Sequence, residues 1–86
     1  MQFDGALITE QGVTFAIIVV KSHVLSNPME KKRMQIAGAQ IFHGAPIVLM
    51  AQDSRGIPKY LGRPDIVKFL AKLSISQIPW KRYTIT

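Results

Sequence analysis

Apolar residues run almost without interruption from Val13 to Val20, which reads Val-Thr-Phe-Ala-Ile-Ile-Val-Val and holds no charge, glycine or proline. β-Branched and aromatic side chains of this kind suit a strand. Val13, Phe15, Ile17 and Val19 fall on one face; Thr14, Ala16, Ile18 and Val20 fall on the other. A strand open to water on one side alternates apolar with polar, so a strand apolar on both sides calls for cover on both faces. Ile47–Ala51 repeats the pattern as a second two-faced strand.

The other elements follow from local signals. Asp4-Gly5 reads as a turn, Ala6–Thr9 as a short strand, and Glu10-Gln11-Gly12 as a three-residue hairpin loop with Gly12 in the left-handed position. Lys21–Ser26 is a connector. Asn27-Pro28-Met29-Glu30 combines an N-cap residue, a proline at the first helical position and a glutamate placed to close a capping box, which predicts a helix over Pro28–Phe42. Met34, Ala37, Gly38 and Ile41 share one stripe of that helix, and mid-helix Gly38 implies close approach to the sheet. Gly44 ends it, with Pro46 soon after. Asp53-Ser54-Arg55-Gly56 is a type I turn leading into Ile57–Leu61, where Pro58 marks an edge strand. Gly62-Arg63-Pro64-Asp65 opens a second helix with Ile66, Phe69, Leu70 and Leu73 inward and Lys68 and Lys72 outward. Ser74–Pro79 reads as a loop, and Trp80–Thr86 as a short last strand in which Tyr83 and Ile85 alternate with Arg82 and Thr84.

The predicted fold is α+β, of order ββαββα: a mixed sheet of four or five strands with two helices, in one domain over residues 1–86. The second and third strands lie side by side and parallel, joined by a helical crossover. One helix per face leaves part of the apolar strands uncovered, which predicts a homodimer that covers the remainder. The two halves share their wiring, but too few residues match to make a repeat.

Composition narrows the function classes. The chain has no cysteine, hence no disulfide, thiolate metal site or thiol nucleophile, in keeping with a cytoplasmic location. Its opening Met-Gln-Phe-Asp-Gly lacks the features of a signal peptide, and its apolar runs are too short to span a membrane. The two histidines, His23 and His43, have no helical ligand partner at i+3 or i+4, so no metal or other cofactor is expected. His43 reads as the last-turn residue of the first helix, where partial positive charge suits the dipole. Asp4, Glu10, Glu30, Asp53 and Asp65 each stand at a turn or a helix start, where capping and turn chemistry account for them; no nucleophile, base and metal set predicts an enzyme.

Eleven Lys and Arg against five Asp and Glu give a net charge of +6, which favours acidic partners. Lys31-Lys32-Arg33 is spread around the first helix. Arg63 lies beside the edge strand. Trp80-Lys81-Arg82-Tyr83 interleaves rings with cations, the pattern in which aromatic faces stack on bases while cations meet phosphates. Arg63, Trp80, Lys81, Arg82 and Tyr83 are therefore the candidate nucleic-acid-binding residues. The alternative for Trp80 and Tyr83 is that they pin the tail to the core, and that structural role is the expected one. The leading expectation is a small non-catalytic module acting through protein–protein contacts, with nucleic-acid binding as the alternative.

From Val13 to Leu73, Gly44-Ala45-Pro46 ahead of the apolar Ile47–Met50, with Gly56, Gly62 and Phe69-Leu70 beyond it, resembles the C-terminal strand–helix–strand–strand–helix part of the thioredoxin-like fold. The resemblance implies helices on opposite faces of the sheet. It carries no redox chemistry, because the Cys-x-x-Cys and the strand–helix unit that bears it are absent. The proline that corresponds to Pro46 is cis in that family; with the redox half missing, a trans Ala45–Pro46 bond is expected.

Overall fold

The computed structural model describes residues Gln2–Thr84. Five strands, β1 (Gln2–Glu10), β2 (Val13–Val19), β3 (Ile47–Gln52), β4 (Pro58–Leu61) and β5 (Lys81–Thr84), form one sheet in the order β4-β3-β2-β1-β5. β2 and β3 are parallel, and the other three pairings are antiparallel. Helices α1 (Ser22–Leu25), α2 (Pro28–Ile41) and α3 (Pro64–Leu70) and a 3-10 turn at Ile75–Gln77 complete this α+β fold. The connector expected at Lys21–Ser26 thus holds a helical turn that buries Val24, and the loop expected after α3 holds the 3-10 turn. The continuation of the last strand through Ile85 lies outside the described residues.

The largest departure is at the N-terminus. Asp4-Gly5 is no turn but part of a nine-residue strand. A Cβ on Gly5 would stand 2.7 Å from the Ile17 carbonyl oxygen and 3.2 Å from the Phe3 ring. Glycine is therefore needed for packing room, and the sequence alone does not separate that need from a turn. The loop between β1 and β2 is shorter than expected. Glu10 pairs with Val13, leaving Gln11 and Gly12 as a two-residue turn with φ of 51° and 79°. Positive φ at both positions is what a type I′ hairpin requires.

Asn27 caps α2, its side-chain oxygen accepting from the backbone N–H groups of Met29 and Glu30. The reciprocal half of the expected capping box is missing. The Asn27 N–H donates to the Val24 carbonyl of α1, and Glu30 turns instead to His23, 3.4 Å away. Gly38 supplies the close approach predicted for it: a Cβ there would lie 2.6 Å from Ile18 Cδ1. Beyond α2, His43 and Gly44 adopt φ of 55° and 83°, so His43 is a left-handed residue past the helix end and not part of its last turn. The Ala45–Pro46 bond is trans, as is every peptide bond among the described residues.

Two clusters form the core, one on each face of the sheet. Phe15, Ile17, Val48 and Met50 meet Ile66 and Leu70 of α3, with Ile78 and Trp80 alongside. Ala16, Ile18 and Leu49 meet Met34 and Ile41 of α2, with Phe3, Phe42 and Tyr83 alongside. Every residue from Phe15 to Ile18 and from Val48 to Ala51 is buried. The apolar stretches of β2 and β3 are thus covered within one chain, whereas Leu7 of β1, on the α2 side, is 49% exposed. Val24 of α1, then Ile78 and Trp80 on one face and the Phe3, Phe42 and Tyr83 rings on the other, add to the cover given by α2 and α3.

Candidate functional site

The C-terminal tail is built into the fold. Trp80 packs on the α3-side cluster, and its indole Nε1–H donates to the Ile75 carbonyl at 3.0 Å. Tyr83 points to the other face, stacked on Phe3 with ring centroids 5.3 Å apart and edge-on to Phe42 at 5.1 Å. Lys81, two residues before Tyr83, holds its ammonium 5.9 Å from that ring. Arg82 reaches across to β1, its Nε donating to Asp4 Oδ1 at 2.7 Å, opposite in the strand register. Alternation along β5 thus sends Trp80 and Arg82 to one face and Lys81 and Tyr83 to the other.

Arg63 is not with them. It follows β4, and the sheet order sets β4 and β5 at opposite edges. In the row through Ile18, Leu61 and Lys81 stand four inter-strand spacings apart, roughly 19 Å. Arg63 also grips Asp65 with two hydrogen bonds, at 3.1 and 2.6 Å. That contact holds the Asp65 carboxyl below its ordinary range and raises Arg63 above its own. The five residues singled out from the sequence are therefore not brought to one surface.

Asp53 has a structural role of its own. Asp53 Oδ1 accepts from the N–H groups of Ile57 and Arg55 and shapes the turn before β4; the Ile57 bond is the larger cause of its lowered pKa. No three of the described His, Asp and Glu side chains are placed to share a metal ion. No described helix is long and apolar enough to cross a membrane. A shallow cleft of about 300 Å³ lies between the β1–β2 turn and α3, with Val13, Phe15 and Phe69 in its floor and Glu10, Lys68 and Lys72 at its rim. Tyr60, beneath Met50's face of the sheet edge, buries its hydroxyl without a hydrogen-bond partner, and burial pushes its pKa up.

Among the described carboxylates, three take arginines: Asp4 with Arg82, Asp53 with Arg55 and Asp65 with Arg63. Arg33 and the seven lysines pair with none of them.

Four large apolar side chains among the described residues are exposed, Leu7, Met29, Ile36 and Ile57, and two of them, Met29 and Ile36, share the outward side of α2. The inward stripe of α2 centres on Met34, Gly38 and Ile41. At about 100° per residue, Ile36 stands about 160° around the helix from Gly38, facing directly away from the sheet. Met29 is seven residues earlier, on almost the same line and about 10 Å along the axis. Both are large and exposed, Met29 at 77% and Ile36 at 51% of their full surface. Lys32 and Arg33 lie between them along the axis, about 50° to either side. Ala37 and Gln40 complete the surface. The result is a short apolar ridge with a cation on each flank. In the sequence only its charge stands out, as Lys31-Lys32-Arg33. The signal that would have found the ridge is the seven-residue spacing of Met29 and Ile36, out of phase with the inward stripe.

No family model matches this chain, and neither a curated protein nor a solved structure matches it.

Proposed function

We propose that this chain is a small, non-catalytic, cytoplasmic interaction module that works through protein–protein contacts on the outward face of α2. The observation that carries this reading is the Met29–Ile36 ridge. Single exposed apolar residues are ordinary, but two aligned on the solvent side of a helix whose other side already fills the core form a surface suited to a partner. Support for a non-catalytic role comes from Asp4, Glu30, Asp53 and Asp65, which serve in a turn, a helix start and ion pairs.

The test is capture of cross-linked partners by the full chain in cells, compared with a Met29→Glu/Ile36→Glu variant. The expected result is loss of the captured proteins with an unchanged melting temperature. Capture that does not depend on either residue overturns the reading.

Nucleic-acid binding is the second reading. It is favoured by cations that pair with no described carboxylate, Lys32 and Arg33 on α2, Lys68 on α3 and Lys72 in the turn that follows it. It predicts oligonucleotide affinity that falls steeply with salt, with a slope of about 0.7 per phosphate contact on single strands.

A further inference from the structure

On the reading of α2 as an interaction face, we infer that its partner is an acidic amphipathic helix of another protein, laid along the Met29–Ile36 ridge between Lys32 and Arg33. Charge selects this occupant. The face carries two exposed cations level with the ridge and no carboxylate. Glu30, the only acidic residue of α2, lies about 110° around the helix from the ridge. It is also held by His23 at 3.4 Å.

A second copy of this chain is the wrong occupant. Pairing two α2 ridges would crowd four cations together with no acid between them, and like charges across an interface disfavour association. A partner whose apolar stripe is bordered by Asp and Glu meets both features at once. Its side chains would pack against Met29, Ile36 and Ala37, and its carboxylates would flank Lys32 and Arg33. Helices recognise one another in this way through apolar anchors at heptad spacing with charges at the borders. Methionine suits such a contact, since its flexible side chain adapts to the partner's shape.

The face is less suited to nucleic acid. It has no aromatic ring on which a base would stack, and its centre is apolar where phosphates would lie. Insertion into a lipid surface normally uses a broad apolar face. This one has two large apolar residues, with the charges at the same level.

The experiment is fluorescence anisotropy of the full chain with two labelled helical peptides of about three heptads, both with Leu at the inner positions and with either Glu or Lys at the bordering ones. The Glu peptide is expected to bind at least ~10-fold more tightly than the Lys peptide, by an amount that shrinks with added salt. Met29→Glu/Ile36→Glu is expected to abolish that binding while the melting temperature holds. Lys32→Glu/Arg33→Glu is expected to invert the preference. Equal binding of the two peptides overturns the inference, as does Glu-peptide binding that survives both double variants. So does tighter binding to a single-stranded oligonucleotide or to phosphatidylserine vesicles. If neither peptide binds while capture in cells still depends on Met29 and Ile36, the acidic-helix partner is wrong and the interaction reading stands. If capture does not depend on them, the interaction reading itself is wrong.

Discussion

The C-terminal tail and the outward face of α2 have similar raw materials, apolar or aromatic side chains set among cations, and the fold treats them in opposite ways. In the tail every large group has a structural partner: Trp80 the Ile75 carbonyl, Tyr83 the Phe3 and Phe42 rings, Arg82 the Asp4 carboxylate. On α2, Met29 and Ile36 touch no core cluster, and Lys32 and Arg33 pair with no described acid. Composition does not tell these two regions apart. What separates them is whether the chain itself satisfies the groups, and groups left over are the ones available to another molecule.

The comparison is tested most forcefully where the fold is claimed to be closed. Ile17 and Ile18 sit on opposite faces of β2, both essentially without exposure. Replacing either by Ala should cost about 2–5 kcal/mol in chemical denaturation, the usual range for a cavity of that size. If Ile18→Ala unfolds at the wild-type midpoint, the α2 face of the sheet is not the sealed core described above, and the contrast loses its basis.

Trp80→Ala comes next. The ring is only half-buried, so the loss should lie at about 2–3 kcal/mol, near the low end for large-to-small changes. It should appear as a lower melting temperature. A variant that melts like wild type but loses oligonucleotide affinity would move the tail from the structural side of the comparison to the binding side.

Gly38→Ala should cost up to about 2 kcal/mol. The gain in helix propensity is up to ~1 kcal/mol, against overpacking of about 1–3 kcal/mol where the new methyl meets Ile18 and Ile47. Gly38→Ala combined with Ile18→Val relieves part of that contact, and stability should partly return. A stabilised single variant would mean that α2 rides higher on the sheet than described.

The smallest effect concerns acid. The carboxyls of Asp65 and Asp53 are held below their ordinary value, Asp65 by Arg63 and Asp53 first by the Ile57 N–H. Unfolded carboxylates titrate near pH 4, so this stabilisation is complete above that pH and is lost as the pH falls through the lower folded values. Both groups are exposed, so the effect should be slight. Asp65→Asn should flatten the acid limb of the stability profile and leave neutral pH almost unchanged. A large loss at neutral pH would show that the Arg63–Asp65 pair does more than fix the start of α3.

Much of the architecture was legible in the sequence because it depends on local periodicity and turn chemistry. The two-faced strands, the Asn27 cap, the edge position of Pro58 and the inward stripe of α3 all follow from neighbours in sequence. Features that depend on how separate elements meet were not legible. Gly5 is needed because of the Ile17 carbonyl and the Phe3 ring, and Asp4 because of Arg82, seventy-eight residues away. Glu30 lost its capping role because α1 had already taken the Asn27 N–H. The tail resembles a binding motif because its rings and cations are adjacent in sequence. The ridge on α2 does not stand out in this way, because Met29 and Ile36 are seven residues apart and the inward stripe already supplies that helix with an apolar side.

If the outward face of α2 is where this protein meets its partner, NMR backbone shift perturbation with the Glu-bordered peptide locates the contact, since it reports position as well as binding. Perturbations should concentrate at Met29, Lys32, Arg33, Ile36 and Gln40, with β5 and the cleft beside α3 unmoved. Perturbations centred instead on Lys81–Thr84, or on Lys68 and Lys72, would contradict that placement.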